Sequence, residues 1–71
     1  MDTSFLDEPY YTVKPLAKMY RVSAATIRKW LDGNRFSKPG VITVYRLTDT
    51  DPVRVTQTGV DYFNSQIKVL Q

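Results

Sequence analysis

The sequence predicts a small α+β fold, mainly helical, in which two helices, a β-hairpin and a third helix follow one another. Three observations predict it. Apolar residues recur at helical spacing in three segments, and a run of β-branched and aromatic residues lies between the second and the third. The 71 residues, 42% hydrophobic and 24% charged, have the ordinary composition of one globular domain.

The first helix is predicted to begin after Thr12, a residue type that caps helices well. Pro15 falls in its first turn, where the missing amide proton costs little. Four residues have the i, i+3, i+4, i+7 spacing of one buried helical face: Val13, Leu16, Ala17 and Tyr20.

The second helix follows a three-residue interruption, Arg21-Val22-Ser23, and runs from Ala24 to about Leu31. Ser23 is a good N-cap, and Asp32-Gly33-Asn34 is a strong C-terminal stop. We expect Trp30 to pack in the core rather than to stack on a ligand, because it lies at helical spacing with Ile27.

A β-hairpin is predicted after the turn at residues 38–40. Its strands are residues 41–47 and 53–56, joined by a turn at 48–52. Thr56 or Thr58 can cap a last helix. The apolar side of that helix carries Val60, Phe63, Ile67 and Leu70.

Residues 1–8 are predicted to form a flexible acidic tail, and residues 9–71 a single domain. The first eight residues lack the positive start and apolar core of a signal peptide, and no apolar run approaches about 18 residues. We therefore expect a cytoplasmic protein that does not enter membranes.

The chain contains no cysteine and no histidine. A disulfide framework, zinc fingers, thiol nucleophiles and imidazole bases are therefore excluded. Carboxylate, lysine or tyrosine chemistry would have to work on a scaffold with little room for a pocket. We therefore expect a protein that is not an enzyme and that binds no cofactor, no metal and no small-molecule effector.

Charge is unevenly distributed along the chain. Residues 14–46 carry eight basic residues against Asp32 alone, a net charge of +7, whereas residues 1–8 carry −3 and residues 47–71 carry −1. A positive centre between acidic ends favours a localised surface for a polyanion. A solvated basic surface without a partner is the alternative.

Two short helices separated by a three-residue turn, with a basic second helix, are the parts of a helix-turn-helix. A helix about 10–12 Å across fits the major groove of DNA and presents its N-terminal residues to base edges. Small residues at 23–25 permit close approach to the DNA backbone, and Arg28, one turn further on, reaches guanine or phosphate. Mixed-charge helix pairs also occur in small domains that never bind DNA.

Residues 12–31 carry a resemblance to a known family. The start T-V-x-x-L-A at Thr12–Ala17, the stretch V-S-x-x-T-I-R-x-W at Val22–Trp30, and the hairpin and helix after them resemble MerR-type winged helix-turn-helix domains. The likeness extends over residues 10–65 and is strongest to small excisionase-like proteins of phages and integrative elements. It implies a winged helix-turn-helix fold in residues 9–71.

The resemblance implies that the second helix enters the major groove and that the hairpin is a wing touching the minor groove or its phosphates. Asp49 and Asp51 at the wing tip depart from this picture, because phosphate repels them. Arg35 and Lys38, after the second helix, could supply phosphate contacts instead. The predicted DNA-binding residues are Arg21, Ser23, Ala24, Ala25, Arg28, Lys29, Arg35, Lys38, Arg46 and Arg54.

Together, these features predict sequence-selective binding of double-stranded DNA in a bacterial or phage-infected cell. Among such proteins we favour an excisionase, or recombination directionality factor, that bends DNA beside a recombination site. An integrase or neighbouring protomers on the DNA are the expected partners. A small phage or plasmid transcriptional regulator is one alternative, and a protein-interaction module that uses a basic face is another.

Overall fold

The structure is a computed structural model that describes residues 4–70, with side chains for residues 4–67. Within these residues it is a small α+β fold with three α-helices and one three-stranded antiparallel sheet. After a turn of 3-10 helix at Ser4–Asp7, the elements are β1 (Tyr10–Tyr11), α1 (Val13–Tyr20), α2 (Ala24–Asp32), β2 (Val44–Tyr45), β3 (Arg54–Thr56) and α3 (Gln57–Leu70).

Helices α1 and α2 lie where the apolar periodicity predicts them. Leu16 of α1 and Ile27 of α2 are fully buried, and the remaining predicted apolar positions of both helices pack against this core. The Ser23 Oγ accepts a hydrogen bond from the backbone N–H of Thr26 at 3.2 Å, which confirms the predicted N-cap of α2. Thr12 occupies the N-cap position of α1, but its side chain makes no capping hydrogen bond.

The stop after α2 depends on Asn34 rather than on Gly33. Asn34 has a φ of 57°, whereas Gly33 has a φ of −84°. The backbone N–H of Asn34 bonds to the carbonyl of Leu31, and that of Arg35 bonds to the carbonyl of Trp30. This pair of bonds is a Schellman motif, which satisfies carbonyls at the helix end.

Strand β3 lies at the centre of the sheet, with β1 on one side and β2 on the other. Val55 lies opposite both Tyr11 of β1 and Val44 of β2. The predicted antiparallel hairpin is confirmed, but the predicted strand over 41–47 is wrong in length, because only Val44 and Tyr45 pair as β2. The pairing of β1 with β3 has no counterpart among the sequence predictions.

Helix α3 follows β3 directly, and Thr56 is its cap. The backbone N–H of Gly59 donates to the Thr56 Oγ1 at 3.2 Å. Val60 and Phe63 are buried and Ile67 packs against the core, as predicted, while the side chain of Leu70 lies outside the described part. No helix within residues 4–70 is long and apolar enough to cross a bilayer.

The N-terminal segment makes contacts that the sequence did not predict. The sequence predicts a flexible tail over residues 1–8, of which residues 1–3 lie outside the described part of the chain. The ring of Phe5 lies 5.1 Å from that of Tyr45, edge to face. The Glu8 Oε1 accepts hydrogen bonds from the Thr58 backbone N–H at 3.1 Å and from the Thr58 Oγ1 at 2.6 Å. A carboxylate therefore sits at the positive end of α3, where it is stabilising.

Four aromatic side chains form a cluster where the three α-helices and the loop after α2 meet: Tyr20, Trp30, Phe36 and Phe63. Phe36 and Phe63 have ring centroids 4.5 Å apart, and Trp30 lies 5.1 Å from Phe63, so Trp30 packs with the core as predicted. The Tyr20 hydroxyl reaches the rim and donates to the Asn64 Oδ1 at 2.7 Å. Burial, with a smaller contribution from the charge of Asp61, raises the pKa of Tyr20.

Phe36 and Thr43 fix the loop between α2 and β2. Phe36 is 0% exposed. The buried Thr43 Oγ1 donates to the Phe36 carbonyl at 2.6 Å and accepts from the Lys38 backbone N–H at 3.2 Å. Neither residue belonged to a periodic apolar pattern in the sequence.

Candidate nucleic-acid interface

Helix α2 presents a polar, basic side to solvent because its opposite side is anchored in the core. Ile27 is fully buried, and Trp30 and Leu31 pack beside it. Ala25, Arg28 and Lys29 are exposed, while Ala24 and Thr26 are half-buried. The predicted site residues of α2 therefore share one accessible face.

The N-terminus of α2 is capped from within the chain. The Ser23 hydroxyl bonds to the Thr26 backbone N–H and also lies 3.0 Å from the Thr26 Oγ1. The backbone N–H groups of Ala24 and Ala25 have no partner within the helix, as for every helix start. Ser23, predicted as a phosphate ligand, is thus an exposed residue whose hydroxyl already serves the helix.

Arg21, in the turn between α1 and α2, adopts a left-handed backbone conformation with φ 57° and ψ 45°. Its N–H bonds to the Lys18 carbonyl at 3.3 Å, and the Val22 N–H bonds to the Ala17 carbonyl at 3.0 Å. These bonds form a second Schellman motif, at a position where glycine is usual. The geometry leaves the Arg21 side chain exposed at the start of α2.

Replacement of Arg21 by glycine should stabilise the fold. The left-handed conformation of a non-glycine residue destabilises the folded state by about 1–2 kcal/mol, and glycine removes this cost. Glycine also gives the unfolded chain more backbone freedom, which lowers the net gain in stability by about 0.4–1 kcal/mol. We expect Arg21→Gly to raise the free energy of unfolding, measured by urea titration, by up to about 1.6 kcal/mol. Arg21→Ala is the matched control, since it removes the same charge without relieving the backbone, and equal stabilities would contradict the argument.

A groove of about 410 Å³ lies between α2 and the hairpin. Arg28 of α2 and Arg46, the residue that follows β2, line the same groove. The structure thus brings together two predicted site residues that are distant in sequence. Asp32, one turn after Arg28, lines it as well. The rest of its wall is apolar: Val13, Leu31, Pro52 and Val53.

The basic side chains of this region are not paired within the described residues, although Asp32 lines the same groove. In the part of the chain that the structure describes, Arg21, Arg28, Lys29 and Arg46 make no ion pair or side-chain hydrogen bond. Arg28, Lys29 and Arg46 are exposed. These guanidinium and ammonium groups are free to contact an anionic partner.

Arg54 has a different environment from Arg46. Its guanidinium carbon lies 4.9 Å from the centroid of the Tyr10 ring, and its Nε is buried without a hydrogen-bond partner in the described residues. Arg54 is half-buried in the central strand and does not line the groove. Of the two predicted hairpin arginines, only Arg46 joins Arg28.

Arg35 and Lys38 are exposed but lie apart from the groove. Arg35 lines a depression of about 260 Å³ with Phe63 and Ile67 of α3. Lys38 lines a separate one of about 430 Å³ with Asp61. The structure therefore divides the predicted site into the face of α2 with Arg46 and a separate basic loop.

Besides Arg28 and Arg46, the groove is lined by residues to which the sequence assigns only structural roles. Asp32 belongs to a predicted helix stop, although its i+4 spacing from Arg28 places both on one face. Val53 and Pro52 reach the groove only through the fold of the hairpin. Among the described residues, no group of three or more histidine, cysteine, aspartate or glutamate side chains is arranged to hold a metal ion.

Comparison with known proteins gives no relative. No protein-family model, no curated protein and no solved structure matches the chain.

Proposed function

We propose that this chain binds double-stranded DNA as a winged helix-turn-helix, without catalysing a reaction. Helix α2 enters the major groove, and the β2–β3 hairpin acts as the wing. The observation that carries the proposal is the groove that Arg28 and Arg46 line together, both exposed and without an ion pair to any described residue.

The dimensions and the side chains of α2 support this docking. A helix fits the major groove, and the small exposed Ala25 permits close approach beside Arg28 and Lys29. The groove then receives the sugar-phosphate strand that runs between the major and minor grooves. Arg28 and Arg46 outnumber Asp32, the single carboxylate among the described residues that line the groove. The two arginines contact the phosphates of this strand or an adjacent base, while Val13 and Leu31 form an apolar wall beside them.

Asp49 at the tip of the hairpin sets a limit on the depth of the wing. Its side chain is exposed, and phosphate repels it. The wing therefore contacts DNA through its base, at Arg46, rather than by insertion of its tip. Arg21 and the N-terminal amides of α2 add backbone contacts on the other side of the helix.

The biological role we favour is that of an excisionase, which binds several sites beside a recombination site and bends the DNA for an integrase. One short helix specifies only a short sequence, so repeated sites and contacts between neighbouring protomers supply the rest of the specificity. A small phage or plasmid transcriptional regulator would use the same surface. Footprinting of the flanking DNA separates them, since protection at a recombination junction supports the excisionase and protection over a promoter supports the regulator.

Salt dependence of duplex binding tests the proposal against a protein-interaction module. Each phosphate contact should contribute a slope of about −0.9 in log affinity against log salt concentration. We expect several such contacts and therefore a steep loss of affinity between low and physiological salt. A slope near zero, or no binding to duplex at low salt, would refute DNA binding.

Arg28→Ala should weaken DNA binding without unfolding the domain, because the side chain is exposed and has no ion pair or hydrogen bond within the part of the chain that the structure describes. If Arg28 reads a guanine, the loss is about 1–3 kcal/mol of discrimination between cognate and altered sites. Arg28→Lys is the matched control: it keeps the charge and the salt slope but loses the bidentate fork. Uniform weakening by alanine that lysine restores makes Arg28 a phosphate contact, and unchanged binding by Arg28→Ala contradicts the docking.

A further inference from the structure

Exposed apolar side chains are concentrated in the segments that directly precede and follow strand β2. Of the large hydrophobic residues that are exposed in the described part, three lie within residues 41–47: Val41 at 47%, Ile42 at 46% and Leu47 at 57%. This segment is rich in β-branched residues and contains neither proline nor glycine. Strand edges of this composition are usually protected by charge, proline or a covering element, because they pair readily with another strand.

Among the described residues, the backbone of β2 is paired on one side only, with β3. Thr43 accepts a hydrogen bond from the Thr56 N–H at 2.8 Å, so residue 43 faces β3. The alternation of an antiparallel ladder then turns the N–H and C=O of Val44 away from β3. Beyond the pairing with β3, no backbone hydrogen bond in the described residues involves Ile42, Val44 or Arg46.

We infer that this edge is a dimerisation surface, at which β2 pairs antiparallel with β2 of a second copy of the chain. A two-fold axis at Val44 pairs Val44 with Val44 of the second copy and Val41 with Leu47. Ile42 then lies opposite the aliphatic stem of Arg46. Within one chain, only Val44 and Tyr45 of the β-rich segment 41–47 pair as a strand. In the dimer the strand extends over residues 41–47 and pairs with the second copy, which joins the two sheets into one.

Charge complementarity favours a second copy as the occupant. The same axis directs the turn that carries Lys38 toward the hairpin tip of the other copy, which carries Asp49 and Asp51. All three side chains are exposed or half-buried, and none is in an ion pair within the described residues. Each copy contributes both halves of this contact, as an isologous interface requires.

The expected dimer is weak. A pair of seven-residue strands buries less than the roughly 1,200 Å² of a standard interface. Sedimentation equilibrium of the DNA-free protein from about 1 μM to about 1 mM should therefore show reversible monomer–dimer exchange. A monomer at every concentration overturns the inference and leaves the edge to a different chain. Because DNA is absent, this result is independent of the proposed function.

Two sets of variants test the geometry. Ile42→Pro removes an outward N–H and should raise the dissociation constant about tenfold or more, whereas Ile42→Thr, which keeps the donor, should change it less. Lys38→Glu should weaken the dimer roughly 2- to 5-fold, and so should Asp49→Lys with Asp51→Lys. The three charge reversals combined should restore the wild-type constant, and a combined variant weaker than either overturns the register.

Hydrogen exchange keeps the inference testable if Ile42→Pro does not fold. In the wild-type protein, the Val44 amide should exchange more slowly at high concentration than at low concentration, because the second copy accepts its hydrogen bond. The Val55 amide, inside the sheet of one chain, is the internal control and should not change. A Val44 rate independent of concentration overturns the inference.

Discussion

Phe36→Ala should remove most of the stability of this protein. Phe36 is fully buried, its ring lies 4.5 Å from that of Phe63, and it also approaches Tyr20 and Trp30. Truncation of a buried phenylalanine costs about 3–5 kcal/mol. A chain of this length has about 4–10 kcal/mol in total, at roughly 0.05–0.15 kcal/mol per residue.

Trp30 lies in the same cluster and therefore reports on its integrity by fluorescence. Urea titration should show the Phe36→Ala transition shifted to much lower denaturant, or no folded baseline at all. Met19→Ala on the exposed side of α1 is the control, since it removes a large apolar side chain that the core does not hold. Equal losses for the two variants would mean that the aromatic cluster contributes no more than exposed apolar surface.

Gly59→Ala should destabilise the fold even though alanine favours helices. A Cβ at position 59 would lie 3.0 Å from the Phe36 carbonyl oxygen, the Thr43 Cβ and the Val55 Cγ1. Overpacking costs about 1–3 kcal/mol, which outweighs the gain in helix propensity of about 1 kcal/mol. The neighbours cannot yield easily, because the Phe36 carbonyl is held by Thr43 at 2.6 Å.

Gly33→Ala is the matched comparison for this prediction. The nearest atoms to a Cβ at position 33 are backbone oxygens at 3.6 Å, and the φ of −84° suits any residue. We expect Gly33→Ala to be neutral or to stabilise by about 0.4–1 kcal/mol through the unfolded state. Thermal unfolding of both variants decides: a Gly59→Ala protein as stable as Gly33→Ala would show that α3 packs less closely on the loop.

The helices were predictable because their information is local. The apolar spacing of α1 and α2 and the cap at Ser23 depend on residues within a few positions of one another. The length of strand β2 was not predictable, because a high β-propensity in residues 41–47 yields a strand only where a partner strand is available. Strand β3 is only three residues long. Phe36 was missed because one aromatic residue in a polar loop has no periodicity.

One element that the sequence did not predict gives Arg54 and Arg46 different environments. Strand β1 is two residues long, and its partner β3 lies more than 40 residues further along the sequence. No local sequence pattern therefore predicts β1. Without β1, Arg54 and Arg46 were equivalent basic residues of a hairpin. Tyr10 of β1 covers the Arg54 guanidinium and leaves Arg46 to share the groove with Arg28. The exposure of Arg28 followed from helical periodicity, whereas the groove depends on tertiary contacts.

Strand β3 passes into α3 without an intervening residue, since Thr56 ends the strand and Gln57 begins the helix. The two elements share the Thr56 cap, so a rotation of α3 must twist the central strand, and with it both neighbouring strands. Glu8 adds a second attachment, because it joins the N-terminal segment to Thr58 of the same helix. A load applied to the exposed side of α3 would thus reach the hairpin by a stiff connection.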